Sequence, residues 1–133
     1  MTDAAATFLT PDDLPAPNGY SHAVVSPPGA RTVWISGQMP MTADGTVPSG
    51  PRAQAELAFA NVGRALDAAG AGWRDVLKLT LFVTDMEVLP ELRSARDAVI
   101  DPAHPPASSL VRVAGLVRDD LLLEVEAVAI LPG

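Results

Sequence analysis

The sequence predicts a single α+β domain in which a mixed β-sheet carries two helices on one face. Three observations lead there. The chain has 133 residues, too few to divide between two cores that would each be stable. Apolar residues make up 48% of it and aromatic residues only 5%, so the interior has to be assembled from Ala, Val, Leu and Ile. The spacing of apolar residues also switches between strand-like and helix-like along the chain, in the order ββαβαββ.

Residues 1–16 hold Pro11 and Pro15 among Ala, Thr and Asp without periodicity. They read as an N-terminal arm, with Phe8, Leu9 and Leu14 available to pack, and the domain proper is expected over 17–133. SHAVVS and RTVWIS then read as two short strands around Pro27, Pro28 and Gly29, a hairpin. GQMPMTADGTVPSGP is a loop with a turn at Asp44-Gly45.

From Pro51 to Ala69 the spacing becomes helical, with Leu57, Asn61, Val62, Ala65, Leu66 and Ala69 on one face, Pro51 suited to the first turn and Gly70 to the C-terminal stop. DVLKLTLFVTD alternates as a long strand, with Leu77, Leu79, Leu81 and Val83 pointing one way. Asp85 can cap a second helix that runs to about Val99 and buries Val88, Leu92, Ala95 and Val99. Asp101, Pro102, Pro105 and Pro106 end it. Two strands follow, Ser108–Ala114 and Leu121–Leu131. The last has Leu121, Leu123, Val125, Ala127, Ala129 and Leu131 on one face, and Leu122, Val128 and Ile130 beside Glu124 and Glu126 on the other. Both faces need cover, so a homo-oligomer is expected.

Composition excludes several functions. Asp and Glu number 16 against 9 Lys and Arg, a net charge of −7, and the basic residues are scattered singly. Such a surface repels phosphate backbones and anionic membranes, so neither nucleic acid nor membrane is an expected partner. No cysteine occurs, which removes disulfides, thiolate catalysis and cysteine-held metals. MTDAAATFLT has no basic residue before a long apolar run, so a cytoplasmic location is expected. His22 and His104 have no partner at metal-ligand spacing, and GAGW at 70–73 follows a helix and precedes a strand, the reverse of a phosphate-binding turn. No metal or cofactor is expected.

What remains is a small set of polar residues. Ser36 in ISGQ lacks the glycine placement of a nucleophile elbow. Ser36-Gly37 at a strand end offers a hydroxyl and backbone groups to a carbonyl or carboxylate, or simply forms a turn. Glu124 and Glu126 share a strand face roughly 7 Å apart. Either is suited to act as a general base on water in a partly closed cleft, or to meet arginines and backbone donors at an interface. In HPPASSLVRV, two prolines stiffen the chain and Ser108 and Ser109 stand where it enters a strand.

GYSHAVV, VWISGQMP, DVLKLTLFVTDM, PPASSLVRVAGL and LLLEVEAVAIL, in this order and over about residues 17–131, resemble the RidA (YjgF) family. The resemblance implies a chorismate-mutase-like fold, a homotrimer with clefts between neighbouring subunits, and no cofactor. The activity implied is hydrolysis of reactive enamines and imines such as 2-aminoacrylate to ketoacid and ammonia. By the same resemblance Tyr20 borders the cleft, Ser36 and Gly37 contact ligand, Glu124 positions and activates the hydrolytic water, Ser109 matches a family serine, and Leu110 stands where a cysteine is common.

Ser108 departs from the pattern, because deaminating members carry there an arginine that grips the substrate carboxylate in a bidentate fork. One neutral hydroxyl does not replace two charge-assisted bonds. Arg93 falls near a helix position where many members have an asparagine close to ligand, and is the candidate for the missing cation; Arg112, about 13 Å along the strand from Ser108, is the poorer one. The expectation is therefore a divergent enamine or imine hydrolase with a non-standard substrate. The alternative is a trimer that binds a small metabolite, an imine or a carboxylate, without turnover. A ribonuclease is opposed by the net charge.

Overall fold

The computed structural model describes residues 5–131. The first four residues of the expected arm and the last two of the expected domain lie outside them. In chain order the elements are β1 (Thr7–Leu9), β2 (Ala23–Val25), β3 (Arg31–Gln38), α1 (Pro51–Ala69), β4 (Val76–Val83), α2 (Leu89–Asp97), β5 (Ala107–Arg112) and β6 (Leu123–Leu131). Neither helix is long and apolar enough to cross a membrane.

Alternation in β6 decides the layering. Leu123, Val125, Ala127 and Ala129 are buried, while Glu124, Glu126 and Val128 between them are half-buried. The buried set meets Leu79, Leu81 and Val83 of β4, Ile35 of β3, and Phe59, Val62, Leu66 and Leu92 of the helices in one core. The sheet order is β3-β6-β4-β5, mixed as expected: β4 and β5 run parallel and the other pairs antiparallel. Both helices cover one face. The other face, carrying Trp34, Lys78, Thr80, Phe82, Glu124, Glu126, Ser109 and Val111, is open, and Trp34 on it is 78% exposed.

The expected β2–β3 hairpin does not form. β2 pairs antiparallel with β1, inside the stretch read as an arm, and β3 pairs with β6. A three-residue strand offers β3 a shorter ladder than the nine-residue β6. The apolar face of α1 is also rotated from the expected one. Gln54, Ala55, Ala58, Phe59, Val62 and Leu66 are buried, while Leu57, Asn61 and Ala65 are only half-buried. Those three face the loop after β3, where the Asn61 amide donates to the carbonyls of Met39 and Met41 at 2.9 Å each. In β4 an irregularity between Val76 and Lys78 gives the inward position to Val76, leaving Leu77 half-buried.

Local signals elsewhere act as their chemistry dictates. Pro51 opens α1 and Gly70 closes it in the left-handed conformation (φ 81°). Asp85 accepts from the Glu87 amide at 2.9 Å and caps the turn that leads into α2. α2 stops at Asp97, short of Val99, which still packs half-buried against the core, and Arg96 joins Leu92 and Ala95 on the buried side of the helix.

The loop between β3 and α1 contains an acid-sensitive turn. The Asp44 carboxylate accepts from the Thr42 hydroxyl and, at 3.1 Å, from the Thr46 amide, and these bonds hold its pKa down to about 2. A carboxyl lowered in the folded state stabilises it above the unfolded value and stops doing so as pH falls through the folded one. The turn is therefore expected to stay intact at pH 4 and to loosen toward pH 2, read from exchange of the Thr46 amide proton. An Asp44 carboxyl resonance that titrates near 4 would contradict this.

Candidate active site

The site grows from an irregularity in the β3–β6 ladder. Ile35 pairs with Ala127 and Gln38 with Val125, so Ser36 and Gly37 together oppose the single residue Glu126. This is a β-bulge, which re-aims the side chains and backbone around it. Glu124 sits against it. One oxygen of its carboxylate occupies the place where a Cβ on Gly37 would be, so only glycine lets the carboxylate lie on the strand backbone. The Ser36 side chain is exposed, and its carbonyl accepts from the Gln38 amide at 3.2 Å. Phe82 stands directly across from Glu124 on the open face, an apolar neighbour that limits the water around the carboxylate. The arrangement places a half-buried acceptor beside backbone and hydroxyl groups, suited to hold one water and take its proton.

The other expected site residues gather elsewhere. Ser108 and Leu110 align with Leu79 and Leu81 and point to the helix side of the sheet, whereas Ser109 aligns with Thr80 on the open side. The two serines thus line opposite walls. Ser109 accepts from the Lys78 ammonium at 2.7 Å. Tyr20 is half-buried beside the start of β5, because the next residue, Ser21, bridges to Ala107. The Ser21 amide donates to Pro106 at 3.0 Å and its hydroxyl to Pro105 at 2.5 Å. Arg93 is exposed on α2. It lies one turn before Arg96 and Asp97, on the flank that meets residues 18–19, while Pro90, Glu91, Ser94 and Ala98 line the groove toward α1.

Two groups result. Ser36, Gly37 and Glu124 lie at the β3 border, and Tyr20, Arg93, Ser108 and Leu110 lie around the β5 border. β3 and β5 are the outer strands of four, about 14 Å apart, and Glu124 on β6 faces the side opposite to Ser108 and Leu110, so one chain does not bring the two groups together. Besides Ser21, two buried polar side chains were not singled out from the sequence. Gln54 and Arg96 are 2% and 5% exposed. Both sit at the four-residue spacing of a buried stripe, Gln54 before Ala58, Val62 and Leu66, and Arg96 after Leu92, a signal that was available.

The family model described as Endoribonuclease L-PSP matches residues 10–131, nearly all of the chain and the same motifs that carry the RidA resemblance. The chain belongs to the RidA family. Across 98% of its length it is 31% identical to the 2-iminobutanoate/2-iminopropanoate deaminase of Bos taurus, 93% of which is covered. The fold matches that of YyfB, a Rid-family protein of unknown function from Yersinia pestis, with a TM-score of 0.86 and 32% identity, covering 96% of this chain and 100% of that one. It also matches E. coli TdcF with bound serine, with a TM-score of 0.70 and 30% identity, covering 93% and 98%. This RidA-family chain has the Ser36–Gly37 bulge, Glu124 beside it and Ser108 at the start of β5.

Proposed function

We propose that this RidA-family protein hydrolyses reactive enamine or imine intermediates to a carbonyl product and ammonia, with a substrate preference that differs from that of members carrying the β5 arginine. The observation that carries the reading is the Glu124 carboxylate seated on Gly37 at the bulge. Glu124 takes a proton from water as the oxygen bonds to the imine carbon. Returning that proton to the nitrogen, which receives the C=N electron pair, gives a carbinolamine; Glu124 then moves the hydroxyl proton to nitrogen as the carbonyl forms and the C–N bond breaks, releasing ammonia. Ser36 and the bulge backbone hold the substrate on the same side.

The reading also assembles the chain as a homotrimer with the chorismate-mutase-like arrangement. The open sheet face, with Trp34 exposed and Phe82 half-buried, is the surface that further copies cover. A head-to-tail ring sets the β3 border of one copy beside the β5 border of the next. Glu124 and Gly37 then face Tyr20, Ser108, Leu110 and Arg93 of a neighbour across one cleft, and Arg93 is the cation available to a substrate carboxylate.

The test generates imines in place with an amino-acid oxidase and follows ketoacid formation against a semicarbazide trap. Small, aromatic and acidic amino acids form the panel. Acceleration that falls by about two orders of magnitude in Glu124→Ala is expected. Rates equal to buffer across the panel would favour the second reading, a non-catalytic trimer that binds a small metabolite. Ser108 is the observation on its side, because a single hydroxyl stands where a bidentate cation would hold the substrate. Ligand-induced rise in melting temperature without turnover distinguishes it.

A further inference from the structure

The buried arginine of α2 has a task the reaction scheme above does not assign. A guanidinium taken out of water is costly unless its donors are paired. At Arg96 the Nε donates to Asp97 Oδ1 at 2.9 Å, one terminal nitrogen meets the same oxygen at 2.8 Å, and the other donates to the Asn18 carbonyl at 3.3 Å. The face of the group lies against Gly19. A Cβ there would overlap the guanidinium, and the backbone of Gly19 is left-handed (φ 73°), so this approach requires glycine twice over. Two residues later Ser21 is buried and bonded to Pro105 and Pro106. Tyr20 is therefore suspended between two anchors, one on α2 and one on the entry to β5.

We propose that Arg96 is a positioning residue for Tyr20. It holds residues 18–19 against α2 so that the tyrosine ring, edge-on to His22 with centroids 5.3 Å apart, stands at a fixed place beside the entry to β5. Asp97, whose side chain is 62% exposed, keeps the guanidinium turned toward the loop. The inference rests on the reading that Tyr20 borders the substrate cleft, and its structural half can be tested without that reading. Tyr20 is the only tyrosine in the chain, so ring-labelled tyrosine gives one resonance set that reports on this position alone.

The experiment compares the protein with Arg96→Met and Arg96→Lys by the Tyr20 ring resonances, melting temperature and steady-state hydrolysis of the best imine. Arg96→Met is expected to shift and broaden the Tyr20 signals and to raise KM about tenfold with kcat little changed, the size of one lost hydrogen-bond contact to substrate. Arg96→Lys, which can reach Asn18 or Asp97 but not fork between them, recovers part of both effects. Unchanged Tyr20 signals in a folded Arg96→Met, even with a lower melting temperature, would overturn the proposal and leave Arg96 a packing residue. Moved Tyr20 signals with unchanged KM would overturn its link to substrate. Should Arg96→Met not fold, Asp97→Ala at the exposed position removes the oxygen that two of the guanidinium nitrogens meet, and unmoved Tyr20 signals there overturn the proposal equally. A wild-type protein inactive on every imine would refute the hydrolase reading, while the resonance arm would still decide whether Arg96 anchors Tyr20.

Discussion

Gly37→Ala is expected to reduce imine hydrolysis by about two orders of magnitude or more while leaving the fold in place. The added methyl would take the position of a Glu124 carboxylate oxygen, and two atoms cannot share it. Gly37 does not hold a left-handed backbone, so alanine is acceptable there in every respect except that contact. The glutamate must then swing away from the bulge, where it no longer lies beside Ser36. Melting temperature and rate should accordingly part company, the first nearly constant and the second collapsing. A Gly37→Ala, Glu124→Ala double variant should be no slower than the worse single one, because both changes remove the same placed carboxylate. A fully active Gly37→Ala would mean that the seated carboxylate is not the reacting group.

Gln54→Leu is expected to produce the largest loss of stability from a single polar side chain. The Gln54 amide donates to the carbonyls of Pro48 and Asp120 at 3.0 and 2.8 Å, and its oxygen accepts from the Leu122 amide at 2.8 Å. Leucine keeps the volume and removes all three partners. Each buried group left unpaired costs about 1–3 kcal/mol, so the loss should be about 3 kcal/mol or more, against a typical total of about 5–15 kcal/mol. Denaturant unfolding measures it directly, and a loss below about 1 kcal/mol would show that water replaces the amide. Leu122 lies two residues before Glu124, so this clamp also sets where the strand bearing the carboxylate begins.

The elements whose signals are local were legible in the sequence. Pro51 and Gly70 bracket α1, Asp85 caps the turn into α2, and the alternation around Leu79, Leu81 and Val83 marks a core strand. Pairing was not local, and there the reading failed. Pro27, Pro28 and Gly29 look like a hairpin turn, but β2 pairs back to β1 in the arm and β3 pairs with the distant β6. The bulge at Ser36–Gly37 leaves no trace in composition, since it depends on the register of two strands about ninety residues apart. Opposite faces for Ser108 and Ser109 follow from strand alternation alone. Arg96 and Gln54 were hidden by the habit of reading charged and amide residues as surface.

The sheet order β3-β6-β4-β5 carries a consequence for how the molecule comes into being. β6, the last of the described strands to be synthesised, is inserted between β3 and β4, so before it emerges from the ribosome β3 has no neighbour and β4 has only β5. The nascent chain exposes apolar strand edges until then, a state prone to aggregation. Sheet closure waits on contacts between distant parts of the chain and is intrinsically slow. Glu124 arrives with that same closing strand, so an incomplete translation product lacks both its fold and its water-activating carboxylate.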